Sequence, residues 1–376
     1  MIVTFITTID YNVGDDFVRE GIKYLIRQVV PGEEITFQNI HKHSPITVRH
    51  GFEWFKDIKI SKFTFPSQKL DVLLPLKLTE DRILEADLVI QSGAPVYWCH
   101  KDVGSHCSEN EWYGVLIRRR FKKNKKAKLL NIAAGSCQGF KSDGSEFKEC
   151  SKDIEYIKEF YTTSSLTTVR DKIAMNIVSY AGFKPPVIPC PSIFAIDEHS
   201  LKPLEPKYLV MNYMKIGGHY TFGKEIKSNR WFDEIKTFYD YLKDKEEILF
   251  VCHNKKEIED AKKIDPDVKT FYSKDFLDYM KIYRNAKYGI VNRVHAAFLM
   301  ASYGAPSFII GNDSRATMAN EIGLESMFIN DVDSQLLIDK YENLKNSYKD
   351  YKEKFRVIKE EAFNSYFQII SNALKN

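Results

Sequence analysis

The chain of 376 residues has no uninterrupted apolar run of the roughly 18 residues that a membrane-spanning helix needs. Its first residues, MIVTFITTI, lack the basic flank and the small-residue cleavage site of a secretory signal, so we interpret them as a first β-strand. We therefore predict a cytoplasmic protein without a transmembrane segment. Peripheral contact with the inner face of the membrane is the remaining form of membrane association.

The sequence also lacks a strong charge imbalance. Its 55 Lys and Arg residues against 51 Asp and Glu residues give a net charge of +4, too small to indicate a nucleic-acid-binding protein. One basic run, residues 118–128, follows a predicted helix. We interpret this run as a solvated helix end, and the alternative is attraction to an anionic glycan or lipid surface.

The six cysteines form neither a Cys-x-x-Cys pair nor a dense framework, which is typical of thiols kept reduced in a cytosol. The one grouping with metal-ligand chemistry is Cys99-His100 with His106-Cys107. Adjacent residues rarely bind the same metal ion, and Gly104-Ser105 between the two pairs indicates a loop. We therefore predict no metal site.

Several enzyme signatures are absent from the sequence. It has no GxGxxG or GxxxxGK loop, which disfavours nicotinamide-dependent and P-loop enzymes. It has no GxSxG, HExxH or DxD-type cluster, which disfavours serine hydrolases, zincins and metal-dependent glycosyltransferases. We predict no cofactor.

Short apolar runs alternate with helical stretches along most of the chain, which is the βαβ pattern. Two such regions, residues 1–197 and 207–332, are joined by a charged connection with two prolines, DEHSLKPLEPK. Residues 333–376 contain no Gly or Pro and repeat apolar residues at helical spacing. The sequence predicts an α/β protein with two Rossmann-like parallel-sheet domains and C-terminal helices packed on the body.

Residues 288–312 contain the strongest candidate site. An apolar strand leads into a helix predicted at Ala296–Tyr303, and Asn292 between them is a candidate N-cap. Arg293 and His295 would then lie at a helix N-terminus, where unpaired N–H groups and the helix dipole favour a phosphate or carboxylate. The alternative is structural: Arg293 pairs with a core carboxylate, and His295 is a hydrogen-bonded core histidine.

Strand ends in the first region carry polar residues and glycines that can approach a ligand. They are Asn12, Gly14 and Asp15 after the first strand, Ser92 and Gly93 after another, the run AGSCQG (134–139) after a third, and Arg170 after a fourth. The acids beside Gly14 suit sugar hydroxyls or a general base better than a pyrophosphate. Arg170 is expected either to join Arg293 on one anion or to pair with a nearby acid.

Taken in order, these motifs resemble those of the polysaccharide pyruvyl transferase family. The matching segments are NVGD (12–15), ADLVIQSG (86–93), VRD (169–171), CH (252–253), NRVH (292–295) and GAP (304–306). Each motif alone is short. The ordered set is more specific, and the Arg-x-His of residues 293–295 is its most telling part.

The resemblance implies a GT-B-like pair of domains, with the acceptor on the N-terminal side and the donor on the C-terminal side. It implies transfer of a pyruvyl group from phosphoenolpyruvate to a sugar of a surface polysaccharide or its lipid-linked precursor, forming a ketal and releasing phosphate. Arg293 and His295 would hold the donor with help from Arg170, and His295 would act as an acid or as a phosphate ligand. Asp15 is a candidate base facing the acceptor.

The site expected from these motifs has two groups of residues. The catalytic residues are Asp15, Arg293 and His295, and the substrate-binding residues are Asn12, Gly14, Ser92, Gly93, Arg170, Asn292 and Arg315. Three aromatic residues near the expected cleft, Tyr97, Trp98 and Trp112, are candidates for stacking on sugar rings.

Two positions depart from the family pattern. The chain has Cys190 before Pro191 where the family often has Asp, and it has Arg315 where Lys is frequent. Arginine can take over the role of the lysine, whereas the missing acid bears on acceptor specificity.

Two alternative functions keep the same fold. One is a GT-B glycosyltransferase with a nucleotide-sugar donor, and the other is a non-catalytic glycan-binding protein. Donor binding separates the pyruvyl transferase from the glycosyltransferase, because a ligand that binds only the folded state raises its thermal stability. The non-catalytic alternative predicts that Arg293→Ala and His295→Ala leave cellular glycan pyruvylation unchanged while an interaction survives.

Overall fold

A computed structural model describes residues 1–9, 12–42, 46–48, 79–98, 111–222 and 224–375. The cysteine and histidine pairs at residues 99–100 and 106–107, and most of the irregular segment from residue 41 to 75, lie outside the described residues. Within the described ranges, no group of three or more His, Cys, Asp or Glu side chains is arranged to hold a metal ion. None of the described helices is both long enough and apolar enough to cross a membrane.

The apolar runs of the first region form a five-stranded sheet. Its strands are Ile2–Thr7 (β1), Thr36–His41 (β2), Leu88–Ser92 (β5), Lys128–Ala134 (β6) and Leu166–Val169 (β7), beside a separate antiparallel pair of Ile46–Val48 (β3) and Thr79–Asp81 (β4). The order across the sheet is β2-β1-β5-β6-β7, and all neighbours are parallel. The order in which the chain adds strands therefore reverses between β1 and β5, which is the switch point of this sheet.

The second region forms a six-stranded sheet, also wholly parallel. Its strands are Tyr208–Met211 (β8), Glu247–Val251 (β9), Thr270–Phe271 (β10), Ala286–Val291 (β11), Ser307–Gly311 (β12) and Glu325–Phe328 (β13). The order β10-β9-β8-β11-β12-β13 is that of a Rossmann sheet, with its switch point between β8 and β11. Both sheets confirm the predicted α/β class.

Helices cover the two sheets. They are Val13–Val29 (α1), Arg82–Glu85 (α2), Val115–Lys123 (α3), Ser151–Thr163 (α4), Lys172–Tyr180 (α5), Ala195–Glu198 (α6), Ser228–Leu242 (α7), Lys255–Ile264 (α8), Phe276–Tyr283 (α9), Val294–Ser302 (α10), Ser334–Asn346 (α11) and Tyr348–Lys375 (α12). Short 3-10 helices include Pro191–Phe194 and Ser314–Ile322. The sequences of the strands between these helices are apolar runs because both faces of each sheet are covered.

The two domains share an apolar core along α1. At Gly21 of this helix, an added Cβ atom would collide with the backbone of Pro191, so a residue without a side chain lets the two segments pack closely. Helix α12 then returns from the second domain to the first. The Tyr366 hydroxyl donates to the Pro189 carbonyl at 3.1 Å, and Lys128 Nζ donates to the Leu374 carbonyl at 2.8 Å. The predicted packing of the C-terminal helices on the body is confirmed.

Contacts in the first domain bear on two expectations from the sequence, the strand at Pro186–Pro189 and the basic run at residues 118–128. The strand predicted at Pro186–Pro189 is reduced to one bridge between Val169 and Val187, because prolines cannot donate to a ladder. In the basic run, Arg118 Nη1 lies 2.5 Å from Glu159, and Arg120 lies 3.2 Å from Asp81. These ion pairs hold two arginines of the run against acidic residues of the same domain.

Candidate active site

A cleft of about 520 Å³ lies between the domains, where the carboxyl ends of the two sheets face each other. Because both switch points open here, the N-termini of α1 and α10 meet across the cleft. A Cβ atom at Gly14, in the first turn of α1, would lie 2.5 Å from His295 Nδ1 in the first turn of α10. Glycine is therefore needed at position 14 for the two helix ends to approach.

Arg170 lies between these helix ends and is only 2% exposed. Its Nη1 donates to the Gly93 carbonyl at 2.5 Å and contacts His295 Nε2 at 3.4 Å. A Cβ atom at Gly135 would collide with the guanidinium, so that glycine leaves the space that the arginine fills. Within the described part of the chain, Arg170 forms no ion pair with a carboxylate. Its charge acts on the nearby carboxyl groups of Asp15 and Asp171. A buried guanidinium without an ion pair is costly in a folded protein and favours an anionic ligand.

The contact with Arg170 determines which ring nitrogen of His295 carries the proton. A guanidinium has only donors, so His295 Nε2 accepts and the ring proton is on Nδ1, the atom that faces Gly14. Burial lowers the pKa of His295 well below its usual value, and the nearby Arg170, Arg315 and Arg293 lower it further. His295 is therefore a neutral hydrogen-bond donor at neutral pH.

Arg293 also lines the cleft, but its charge is compensated. One of its terminal nitrogens forms an ion pair with Glu257, and the other lies 2.8 Å from His219 Nε2. The ion pair with a carboxylate that the structural interpretation of Arg293 predicted is thus present, although the guanidinium still reaches the cleft. The ion pair holds Arg293 in one orientation.

Glu257 is a site residue that the sequence motifs did not identify. Its carboxylate accepts from the His253 backbone N–H at 2.7 Å and from Asn254 Nδ2 at 2.9 Å, while Asn254 Oδ1 accepts from the Glu257 N–H at 3.0 Å. This arrangement is a capping box at the start of α8, which fixes the carboxylate that binds Arg293. The Asn-x-x-Glu spacing after β9 is the sequence signal that could have found it.

Arg315 is paired in the same way. Its Nε and Nη2 atoms donate to the two carboxylate oxygens of Asp313 at 2.9 and 2.6 Å. This bidentate pair lies at the start of the 3-10 helix that follows β12, and both residues line the cleft. The arginine that replaces the family's frequent lysine is therefore at the cleft.

Asp15 is the titratable acid on the N-terminal side of the cleft. Burial raises its pKa above the usual value, although hydrogen bonding to Thr8 and the charges of Arg170 and Lys42 oppose that shift. A carboxylate with a raised pKa is a stronger base than an exposed one. Asn12, beside it, caps α1 by accepting from the Gly14 N–H at 3.1 Å.

A sequence profile for polysaccharide pyruvyl transferases matches residues 12–314. The chain belongs to the polysaccharide pyruvyl transferase family. This match confirms the resemblance drawn from the ordered motifs and supports a transferase of polysaccharide pyruvylation. No curated protein sequence matches the chain.

Solved structures similar to this pyruvyl transferase family member share its two-domain fold. UDP-GlcNAc 2-epimerase from Neisseria meningitidis, bound to UDP-GlcNAc, has a TM-score of 0.53 at 11% identity, covering 100% of each chain. S. aureus MnaA with UDP has a TM-score of 0.52 at 12% identity, covering 94% of this chain and 90% of that one. A trehalose-6-phosphate synthase has a TM-score of 0.51 at 10% identity, covering 100% and 99%. At these identities the likeness concerns the fold alone, and it confirms the GT-B-like arrangement.

Two predicted site residues of this family member, Ser92 and Gly93, make contacts inside the N-terminal domain. The Ser92 hydroxyl is buried and donates to the Ile6 carbonyl at 3.1 Å, and Gly93 adopts a φ of +48° against the Val18 side chain. Neither is among the described residues that line the cleft, and their role in substrate binding stays a prediction. They form the turn whose carbonyl holds Arg170.

Asn292 lines the cleft, but it does not cap α10 as predicted. Its Oδ1 accepts from the Met214 N–H at 2.8 Å and its Nδ2 donates to the Ile310 carbonyl at 2.7 Å, so the side chain joins neighbouring strand ends. Arg293 occupies the N-cap position without a side-chain cap bond. The first N–H groups of α10 are thereby left for a ligand.

The departure from the family pattern at Cys190 lies away from the cleft. Cys190 is buried in the shared core, where its Sγ accepts from the Ser192 hydroxyl at 3.3 Å. Of the three aromatic candidates, Trp98 and Trp112 line the cleft. Tyr97 is buried, and its hydroxyl lies 3.3 Å from Asn131 Nδ2.

Proposed function

We propose that this chain transfers a pyruvyl group from phosphoenolpyruvate to a sugar of a surface polysaccharide or its lipid-linked precursor. The observation that carries the proposal is Arg170, a buried guanidinium without a carboxylate partner among the described residues, placed between two helix N-termini. Helix N-termini and an arginine without an ion pair favour a compact anion of high charge. Phosphoenolpyruvate carries a phosphate and a carboxylate on three carbons, which matches a cleft with more than one arginine.

In this proposal, Arg170 and the Nδ1–H of His295 hold the phosphate at the meeting point of α1 and α10. Arg293, oriented by Glu257, takes the carboxylate. The two groups of the donor are then held on either side of C2, the carbon that reacts. Donors placed before the reaction stabilise developing charge without reorganisation, which is the main electrostatic contribution to catalysis.

The proposed reaction joins two hydroxyls of one sugar to C2 of phosphoenolpyruvate. The first hydroxyl adds to C2 as the methylene carbon takes up a proton and becomes a methyl group. The second hydroxyl then displaces the phosphate, and its proton leaves with the released inorganic phosphate. Phosphoenolpyruvate and a diol thus give a pyruvate ketal and phosphate, with no oxidant or cofactor required.

Asp15 is the proposed base for the attacking hydroxyl. Its raised pKa increases the basicity of the carboxylate, and it lines the cleft beside Arg170. His295 is assigned to binding the phosphate, because its lowered pKa and the Arg170 contact keep the ring neutral. His295 therefore does not supply the proton that the methylene carbon takes up.

The direct test is incubation of the protein with phosphoenolpyruvate and a panel of sugar-lipid acceptors while phosphate release is measured. We expect phosphate release that depends on both substrates. Arg170→Met should weaken phosphoenolpyruvate binding about tenfold to a hundredfold, because charge-assisted hydrogen bonds contribute about 1.5–3 kcal/mol. Arg356→Met, an exposed arginine on α12, is the matched control and should bind like the wild type. Equal binding by both variants would contradict the proposed site.

A further inference from the structure

Asn312 is a buried side chain whose hydrogen-bonding groups are not used by the protein. It is 1% exposed and follows β12, where it lines the cleft. Neither its Oδ1 nor its Nδ2 has a hydrogen-bond partner within the described residues. A Cβ atom at Gly218 would collide with this amide, so the glycine brings a backbone segment directly over it. A buried amide without partners costs free energy unless a ligand supplies both a donor and an acceptor.

The neighbours of Asn312 at the mouth of the cleft are an ion pair and an aromatic ring. Arg315 and Asp313 form the bidentate pair described above, and the Arg315 guanidinium lies 5.5 Å from the centre of the Tyr220 ring. Tyr220 is 42% exposed, and the centre of its ring lies 4.4 Å from that of Trp98 in the first domain, in a T-shaped contact. The four residues Asn312, Asp313, Arg315 and Tyr220 are called the rim subsite below.

The chemistry of the rim subsite differs from that of the anion site around Arg170. The charge of Arg315 is compensated by Asp313, and the Asn312 amide is neutral, so the subsite has no net charge to attract an anion. Its groups instead offer donors and acceptors side by side, which match sugar hydroxyls because each hydroxyl both donates and accepts. An exposed aromatic ring provides an apolar surface for the C–H face of a pyranose.

We propose that the rim subsite binds an uncharged pyranose ring and thereby selects the acceptor. Asn312 hydrogen-bonds sugar hydroxyls at the base of the subsite, and the Asp313–Arg315 pair hydrogen-bonds hydroxyls at its side. The Tyr220 ring stacks on the pyranose ring. The identity of this sugar as the acceptor rests on the proposed pyruvyl transfer; the binding of a sugar does not. The acceptor is then held mainly by the C-terminal domain, and not by the N-terminal domain as the family resemblance implies, with Trp98 reaching it from the N-terminal domain.

Saturation-transfer NMR tests this inference with four uncharged monosaccharides as probes: glucose, galactose, mannose and N-acetylglucosamine. We expect the wild-type protein to transfer saturation to at least one of them. Asn312→Ala and Tyr220→Ala should each weaken that binding about tenfold, the size of one lost hydrogen bond or ring contact. Tyr220→Ala removes an exposed side chain, so it remains informative even if Asn312→Ala folds poorly.

Two controls keep this test separate from the proposed reaction. Tyr241→Ala, a partly exposed tyrosine on α7 outside the cleft, should bind the probe like the wild type. Thermal stabilisation by phosphoenolpyruvate should be unchanged in both rim variants, because the anion site is intact. The inference is overturned if no probe contacts the wild type, or if both rim variants bind it as Tyr241→Ala does. Sugar binding without stabilisation by phosphoenolpyruvate would instead refute the proposed function and leave the rim subsite standing.

Discussion

Two arginines on the C-terminal side of the cleft form ion pairs, whereas Arg170 on the N-terminal side forms none with the described residues. Arg293 is bound to Glu257 and Arg315 to Asp313. Arg170 and Asp15 are buried, and neither forms an ion pair with another described residue. Pairing orients a side chain at little cost, whereas an uncompensated buried charge lowers stability and is retained where a ligand or a reaction needs it. In the proposed reaction, the C-terminal arginines position the substrate, and Arg170 and Asp15 on the N-terminal side act on it directly.

The largest expected effect concerns stability and separates two arginines of the same cleft. Arg293→Met leaves the Glu257 carboxylate buried without its partner, so the free energy of unfolding should fall by about 3 kcal/mol or more. Arg170→Met removes a buried charge that has no ion pair and should leave the apoprotein as stable as the wild type or more so. Urea unfolding of both variants measures the difference.

A double variant checks the cause of that loss. Arg293→Met with Glu257→Gln removes both charges, so it should recover most of the stability lost in Arg293→Met alone. If Arg170→Met proves as destabilising as Arg293→Met, the two sides of the cleft do not differ as we describe.

A smaller effect tests whether Glu257 positions Arg293 or only balances its charge. Glu257→Gln keeps an acceptor for the His253 N–H and makes the cleft more positive. Charge alone would then strengthen phosphoenolpyruvate binding, whereas loss of a fixed orientation should weaken it about tenfold. We expect weaker binding by calorimetry. Glu259→Gln, an exposed glutamate on the same helix, is the matched control.

The smallest expected effect concerns the pH dependence of stability at Asp15. Its pKa is raised in the folded state, so the folded protein holds this proton more tightly than the unfolded chain does. Stability is therefore lost as the pH rises from about 4, the pKa of an unfolded aspartate, through the raised folded value. Asp15→Asn removes this loss and should be slightly more stable than the wild type at neutral pH, although phosphate release is abolished.

Urea unfolding across this pH range measures the slope. Asp244→Asn, an exposed aspartate, should keep the wild-type slope. A stability curve for Asp15→Asn that follows the wild type throughout would show that Asp15 does not carry the raised pKa.

The fold and part of the site could be predicted because strand ends of parallel sheets gather at one edge. Residues directly after apolar strands, such as Asn12, Arg170 and Arg293, reach the cleft for that reason. The same argument does not fix the side-chain direction of Ser92, since a position after a strand does not tell whether a side chain turns toward the cleft or toward the next strand. The Ser92 hydroxyl turns to the Ile6 carbonyl instead.

Contacts between distant segments could not be predicted from one sequence. The pairing of Arg293 with Glu257 joins two strand ends, and the contact of Gly14 with His295 joins two domains. Tyr220 and Asn312 follow different strands and have no shared motif. Their placement depends on sheet order, which the alternation of strands and helices does not specify.

The most direct test of the account is calorimetric titration of the wild-type protein with phosphoenolpyruvate and, separately, with UDP-GlcNAc. Our account predicts saturable binding of phosphoenolpyruvate that inorganic phosphate competes with, and no comparable binding of the nucleotide sugar. Saturable binding of UDP-GlcNAc in the absence of any binding of phosphoenolpyruvate would contradict it.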